Sequence, residues 1–244
     1  MQKHTVMITS FNFIKQMSQT ILLLLMCSFL PLNAHATSSP PVKNKYWEAY
    51  FKSKLRDPPA GFVVTALNAL QQSNPPGRKV AIDLGCGVGH ETLELLKKGY
   101  HVVAIDGQPQ AFDYMKQLPM MHQYEGNLKT VVSSFEKLNF AELPEADMIV
   151  ASFALPFMKA NDFNRVWTEV KGKIKPGGYF VGNFFDPDDS FFAQKFRSSM
   201  TFHNKVQAMA LFHGFQIVGF QEVNTPASKP GTMNHYYAFV GKKL

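Results

Sequence analysis

Three glycines at alternate positions are the first feature of the sequence that points to chemistry. They are Gly85, Gly87 and Gly89 in "VAIDLGCGVGHET" (80–92), which begins as an apolar run. Glycine permits a sharp exit from a strand at Gly85, and it lets a ligand approach the main chain at Gly87 and Gly89. Free N–H groups at the start of the following helix could bind polar ligand oxygens. The pattern favours a ligand-binding loop over a plain tight turn.

The spacing of this loop narrows the class of ligand. Nicotinamide and flavin sites use G-x-G-x-x-G, and phosphate loops use G-x-x-x-x-G-K-[ST]. Here Asp83 precedes G-x-G-x-G in "DLGCGVG". This motif resembles the first motif of class I S-adenosylmethionine-dependent methyltransferases, D/E-x-G-x-G-x-G. The resemblance implies S-adenosyl-L-methionine as cofactor and places Asp83 near its methionine ammonium group. The small-molecule methyltransferases grouped with tellurite- and thiopurine-resistance proteins are the most similar branch.

The later motifs of the same family follow in order. Asp106 closes the next strand, where the family places the acid that accepts both ribose hydroxyls; the alternative is a helix N-cap before "GQPQAF". The third motif lacks the family's acid, since Glu136 is displaced from that position, and Ser134 is the best match. The resemblance implies cofactor contacts from Asp83, Gly85, Cys86, Gly87, Gly89, Asp106, Gly107, Ser134, Phe135, Ser152 and Phe153.

Residues for the methyl acceptor are less clearly marked. Methyl transfer from a sulfonium is an in-line displacement, so the enzyme mainly aligns the reactants and excludes water. A base is required only for a protonated acceptor. Asp186 is the candidate base, and its alternative role is to form a turn before Pro187. The other acceptor-side candidates are Asn183, Tyr46, Tyr50, His203 and His235.

Two groups of aromatic residues leave alternatives open. Tyr46, Trp47 and Tyr50 lie at helical spacing and form either a lid over the sulfonium or a face that packs against the core. Phe153 and Phe157 either border the ligand and substrate or belong to the core, and for Phe157 a core position is expected.

Strands alternate with helices along the chain and must position these residues. Strands are predicted at 79–84, 101–106, 129–134, 146–153, 176–185, 215–223 and 235–243, and helices at 45–55, 61–72, 89–99, 108–118, 161–174 and 201–214. This alternation predicts an α/β fold with a mainly parallel sheet and helices on both faces. With the resemblance, it indicates a Rossmann-like seven-stranded sheet whose last strand is antiparallel.

The amino terminus has the features of an export signal. Residues 1–36 contain Lys3 and Lys15, an apolar segment at 21–32, and alanines at 34 and 36 before an expected cleavage point. We therefore expect a signal peptide (1–36), a linker (37–44), a methyltransferase domain (45–244), and a periplasmic or secreted protein. The alternatives are a membrane anchor, or a cytoplasmic protein whose start is misassigned. S-adenosylmethionine is made in the cytosol, so an exported enzyme would have to meet it elsewhere.

Composition bounds the remaining classes of function. The net charge is +7, but Lys and Arg are scattered, so we expect no nucleic-acid partner. Cys86 is alone once the leader is removed, and no His or Cys stands at metal-ligand spacing, so we expect neither an internal disulfide nor a metal site. We expect no permanent membrane span. The hypotheses are a methyltransferase for a small molecule, one for a protein or nucleic acid, and a non-catalytic S-adenosylmethionine-binding module.

Overall fold

The computed structural model describes residues 45–71, 79–190 and 197–244, so the expected signal peptide and linker lie outside the described residues. Within these ranges, seven strands form one sheet in the order β3-β2-β1-β4-β5-β7-β6. The strands are β1 (Lys79–Leu84), β2 (Tyr100–Asp106), β3 (Leu128–Val132), β4 (Ala146–Ala151), β5 (Ile174–Phe185), β6 (Phe215–Pro226) and β7 (Met233–Lys243).

The pairing of the strands confirms the predicted fold. Strand β1 pairs in parallel with β2 and β4, and the parallel pairing extends outward to β3 and β5. Strand β7 is antiparallel to both of its neighbours, β5 and β6. The strands β1, β2 and β4 have near-continuous buried runs because helices cover both faces of a parallel sheet. The carboxyl ends of β1 to β5 consequently meet at one edge.

Six α-helices flank this sheet in the described residues. They are α1 (Lys45–Lys54), α2 (Gly61–Gln71), α3 (His90–Lys97), α4 (Gln110–Met115), α5 (Ala160–Lys173) and α6 (Lys205–Ala210). Helix α5 illustrates the helical spacing of apolar residues. Its buried residues Phe163, Val166, Trp167 and Val170 fall on one face. None of the helices in the described ranges is long and apolar enough to cross a membrane.

The sheet separates two apolar clusters. One contains the α5 face together with Ile82 and Leu84 of β1. The other contains Ala81 of β1 and residues of α2, α3 and α4. Successive residues of a strand point to opposite faces, so β1 contributes to both clusters and is fixed between them.

Some predicted element boundaries are wrong. The helix predicted at 201–214 is confined to Lys205–Ala210, because the Asn204 side chain accepts from Gln207 N and caps the helix. The helix predicted at 108–118 ends at Met115. Short 3₁₀ turns that the sequence pattern did not predict include Leu155–Phe157, which follows β4.

Candidate functional site

A cleft of about 320 Å³ lies at the carboxyl ends of β1 to β4. Its walls come from the glycine loop after β1, from the segments that follow β2, β3 and β4, and from α1 with the chain leading into α2. Open α/β sheets bind ligands at this edge, at the point where the order of the strands in the sheet reverses. The volume falls in the range typical of small-molecule sites.

The surroundings of an added side chain differ among the three glycines of the loop. A Cβ on Gly85 would lie 2.5 Å from Ala154 Cβ, and one on Gly89 would lie 2.5 Å from Met115 Cγ. A Cβ on Gly87 would meet nothing closer than Phe51 Cε1, at 3.8 Å. Gly87 and Phe51 both line the cleft, so Gly87 borders the open space as expected. Gly89 is not among the lining residues; its φ of 88° and the neighbouring Met115 side chain both favour glycine there, and its contact with a cofactor stays a prediction.

The backbone amides of the loop are largely committed to internal hydrogen bonds. Gly85 N and Cys86 N donate to Ile105 O, and Gly89 N donates to Cys86 O. Gly87 N donates to the Asp106 carboxylate at 3.0 Å. These four amides hold the loop in shape. The free N–H groups expected at the start of the following helix, which begins at His90, stay a prediction.

Asp106 connects the loop to the end of β2. It is 8% exposed, and its two oxygens accept from Gly87 N (3.0 Å) and Gln108 N (2.8 Å). Burial raises the pKa of this carboxyl to about 6. The N-cap position of α4 is Pro109, so Asp106 supports the preceding turn and does not cap the helix. Each oxygen keeps further acceptor capacity toward the cleft, which it lines.

Asp83 lies behind the loop and not in the cleft wall. It is 1% exposed and accepts a 2.6 Å hydrogen bond from Thr92 Oγ1 on α3. Burial raises the pKa of Asp83 to about 8, with the nearby Glu91 acting in the same direction. The structure thus gives Asp83 a role in joining β1 to α3, and its contact with a methionine ammonium group stays a prediction.

The other expected cofactor residues lie at the cleft. Cys86, Gly107, Ser134, Phe135, Ser152 and Phe153 all line it. Phe153 has φ 49°, an unusual value for a residue with a side chain, and its N–H donates to Asn183 Oδ1 at 2.6 Å. Asn183 is fully buried, and its Nδ2 has no hydrogen-bond partner in the described part of the chain. Asn183 therefore positions Phe153 from β5 without lining the cleft itself.

Aromatic rings form the α1 side of the cleft. Trp47 stacks on Phe51 at 6.1 Å and meets Phe157 edge-on at 5.6 Å, and all three line the cleft together with Tyr50. The aromatic face of α1 therefore does both things that the sequence left open. It packs internally and it faces the ligand space. Phe157 is half-buried at the cleft, so the expectation of a core position is wrong.

The acceptor-side candidates separate into two groups. Tyr50 lines the cleft, and burial raises its pKa to about 12. Tyr46 contacts Trp47 at 5.4 Å without lining the cleft. His203 packs against Phe163 at 4.6 Å, and burial lowers its pKa to about 4. It too lies away from the cleft wall.

Asp186 and His235 lie together, away from the cleft wall. Asp186 Oδ1 accepts from Asp188 N at 2.8 Å, which is the turn geometry expected before Pro187. Its Oδ2 accepts from Tyr237 Oη at 2.5 Å. These contacts support the turn-forming alternative, and the role of Asp186 as a base stays a prediction.

Sequence reasoning missed several polar residues of the cleft, namely Lys54, His90, Glu91 and Gln108. Glu91 Oε1 accepts from Ala60 N at 2.9 Å, and His90 Nε2 lies 2.9 Å from Lys54 O. These two contacts hold the segment between α1 and α2 against the start of α3. No local signal marked them, because each joins parts of the chain about thirty residues apart. Glu136, displaced in sequence, also reaches the cleft.

Comparison with known proteins gives a consistent result. Residues 82–182 match the family described as "Methyltransferase domain". A 92-residue stretch is 37% identical to magnesium-protoporphyrin O-methyltransferase of Rhodobacter capsulatus, over 36% of this chain and 38% of that protein. The chain spans about half or less of the length of the curated relatives it matches.

Solved structures share the fold at low sequence identity. TehB from Haemophilus influenzae aligns with a TM-score of 0.63 and 16% identity, over 81% of this chain and 67% of that chain. Magnesium protoporphyrin IX methyltransferase from Synechocystis PCC 6803, solved with bound S-adenosylhomocysteine (SAH), aligns with a TM-score of 0.61 and 12% identity, over 82% and 96%. Residues 82–182 are therefore similar to methyltransferase domains, and the described residues share the fold of these solved methyltransferases.

Proposed function

We propose that this protein transfers a methyl group from S-adenosylmethionine to a small-molecule acceptor. The observation that carries the proposal is the pairing of Gly87 and Asp106 at the cleft. Gly87 leaves open space where a side chain would stand, and Asp106 brings a carboxylate beside it through a 3.0 Å hydrogen bond. The methyltransferase domain match covers both residues.

The residues present fit S-adenosylmethionine. Asp106 supplies acceptor capacity for the two ribose hydroxyls, and Ser134 and Phe135 supply a polar and a flat apolar contact for adenine. Trp47 and Tyr50 offer ring faces, which attract a cation such as the sulfonium. Glu136 is exposed and lines the cleft near Ser134 and Phe135, so its carboxylate could accept from the adenine amino group although it is displaced from the family's position.

The chain itself contributes positioning and exclusion of water. Bound S-adenosylmethionine supplies an electrophilic methyl group, and its thioether leaves without needing a proton. The aromatic residues of α1 form an apolar wall that would exclude water on that side of the cofactor, and the loop would fix the direction of approach. Tyr50 is a poor base because its raised pKa keeps its hydroxyl protonated. We therefore propose an acceptor whose nucleophilic atom does not have to lose a proton to a protein base before it attacks the methyl group.

A neighbouring apolar groove supports a small acceptor. The groove has a volume of about 850 Å³ and shares Ala60 and Phe153 with the cleft. Its other walls include Phe62 of α2 and Phe220 of β6. An acceptor with an apolar body would bind there and present its nucleophile past Phe153. The relatives named for tetrapyrrole acceptors agree with this class of substrate.

Calorimetric titration of the full-length chain tests the cofactor half of the proposal. We expect micromolar binding of S-adenosylmethionine and S-adenosylhomocysteine and no binding of NAD, which serves as the control. Absence of binding by the first two would overturn the proposal. Binding without methyl transfer, across a screen of small acceptors with radiolabelled methyl donor, would instead favour a non-catalytic module.

We further propose that residues 1–36 direct export, as their charge and apolar segment indicate. Mass spectrometry of the protein from its native host should find a chain that begins at Thr37. Replacing Ala36 with a bulky residue should leave a longer product. An unchanged mass between the two would contradict cleavage at this point.

A further inference from the structure

We propose that Asp186, Asp188 and His235 form a binding site for a divalent transition-metal ion. Asp186 and Asp188 follow β5, and His235 lies on the antiparallel neighbour β7. One ligand atom from each residue lies within 4.8 Å of the other two. Sequence spacing could not reveal this group, because the histidine comes from a distant strand. The proposal does not depend on the methyltransferase function.

The histidine gives independent support to the pair of acids. His235 is 8% exposed, and its buried Nδ1 has no hydrogen-bond partner among the described residues. This nitrogen lies 3.5 Å from Asp186 Oδ1. A buried nitrogen that is left unpaired costs free energy, and a metal ion would satisfy it. The unpaired atom therefore faces the place where the two carboxylates converge.

The other side of the imidazole is held by a carboxylate. His235 Nε2 lies 3.2 Å from Glu222 Oε1 on β6. When Nε2 carries the proton and donates to Glu222, Nδ1 is left with a free lone pair for a metal. This carboxylate–histidine arrangement is the usual support of a metal-ligating imidazole.

The distances suit a small cation. Two ligands on a tetrahedral zinc ion, each about 2.0–2.1 Å from the metal, are about 3.3–3.4 Å apart. The separation of 3.5 Å between His235 Nδ1 and Asp186 Oδ1 is close to that value. Asp188 is exposed, so its side chain is free to close the remaining distance.

Asp186 is already held in place. Its two oxygens accept from Asp188 N and Tyr237 Oη, and its own N–H donates to His235 O at 2.9 Å. Each carboxylate oxygen has a second lone pair that these bonds leave free. The ligand is therefore oriented before the metal arrives, which lowers the entropy lost on binding.

The donor set selects the class of metal. One imidazole and two carboxylates suit zinc and the other first-row divalent ions, whereas magnesium and calcium prefer oxygen ligands throughout. Two carboxylates balance the charge of a divalent ion. Because its ligands come from the segment after β5 and from β7, the ion would link these two parts of the sheet. Three protein ligands leave at least one position for water, so the ion would remain accessible from solvent.

Titration with Zn²⁺ in competition with a chromophoric chelator tests the site on the full-length protein without an affinity tag. We expect one equivalent to bind, and Asp188→Asn to weaken that binding by at least about tenfold through loss of an anionic ligand. The exposed Asp113→Asn on α4 is the matched control and should bind as the wild type does. Equal affinity in Asp188→Asn, or no stoichiometric binding by the wild type, would overturn the proposal.

A second variant distinguishes this site from adventitious zinc binding at other surface residues. Glu222→Gln removes the carboxylate behind His235 without touching a ligand, and we expect a loss of affinity of about 10–100-fold. The visible absorption of bound Co²⁺ should be weaker in Asp188→Asn and Glu222→Gln than in the wild type, and the ranking of the three proteins should match the ranking of their Zn²⁺ affinities. A Co²⁺ spectrum indifferent to both Asp188→Asn and Glu222→Gln would place the ion elsewhere and refute the assignment.

Discussion

Replacing Gly85 or Gly87 with alanine should separate folding from ligand binding within one loop. Both glycines have positive φ values, 70° and 51°, so alanine at either position incurs a similar backbone penalty of about 1–2 kcal/mol. The two positions differ in their surroundings. A Cβ at 85 would lie 2.5 Å from Ala154 Cβ, an atom that cannot rotate away, whereas a Cβ at 87 finds no atom closer than 3.8 Å.

The magnitudes follow from this difference. Overpacking against Ala154 adds about 1–3 kcal/mol, so Gly85→Ala should lower the free energy of unfolding by about 2–5 kcal/mol in total. Gly87→Ala should lower it by about 1–2 kcal/mol, but its methyl group projects into the cleft and should weaken binding of S-adenosylhomocysteine by more than about tenfold. Urea unfolding followed by circular dichroism measures the first quantity, and calorimetric titration measures the second.

A larger loss of stability in Gly87→Ala than in Gly85→Ala would contradict this prediction. Equal loss of stability in the two variants would mean that Ala154 yields without resistance. Wild-type affinity in Gly87→Ala would mean that the ligand does not pass this part of the main chain. Gly99→Ala provides a control, because Gly99 also has a positive φ and has no atom within 4 Å of an added Cβ.

Other perturbations test the carboxylates and the aromatic wall. Asp106→Ala should weaken S-adenosylhomocysteine binding by about 1.5–3 kcal/mol in calorimetry, since the ribose hydroxyls lose a charged acceptor, whereas Asp113→Ala should not. In the wild type the affinity should rise as pH increases through about 6, where Asp106 ionises, and a flat profile would contradict its role. Asp83 has a folded-state pKa of about 8, above its ordinary value, so the folded protein binds the extra proton and loses stability as pH rises from about 4 to 8. Asp83→Asn should therefore match the wild type at pH 4 and exceed it by on the order of a few kcal/mol at pH 9 in urea unfolding, and equal stability at pH 9 would refute this. Trp47→Ala should reduce affinity for S-adenosylmethionine more than for S-adenosylhomocysteine, which lacks the sulfonium charge, and equal losses would assign Trp47 to packing alone.

The sequence predicted the sheet and most of the cleft wall because both depend on local patterns. Apolar strands that alternate with amphipathic helices specify a parallel sheet, and a glycine loop after β1 falls at its carboxyl edge. The contacts that the sequence did not predict connect distant segments. Glu91 with Ala60, and Asn183 with Phe153, depend on how helices and strands come together in space.

The same limitation explains the reinterpretation of Asp83 and Gly89. Their spacing placed the loop at the cleft, but spacing alone cannot show whether a side chain faces the cleft or the interior. In the structure the Asp83 carboxylate accepts a hydrogen bond from the Thr92 hydroxyl, and Gly89 leaves room for the Met115 side chain. Both residues shape the loop from behind.

The hydrogen bond from Phe153 to Asn183 has a consequence for how the acceptor specificity of this protein could change. Phe153 forms a wall common to the cofactor cleft and the apolar groove, and a single side-chain amide on β5 holds its backbone at φ 49°. A substitution at Asn183 would release that conformation and redirect the ring, while the glycine loop and Asp106 stay untouched. If the proposed function holds, acceptor choice would then depend in part on a residue that lines neither the cleft nor the groove, and it could change separately from the binding of the methyl donor.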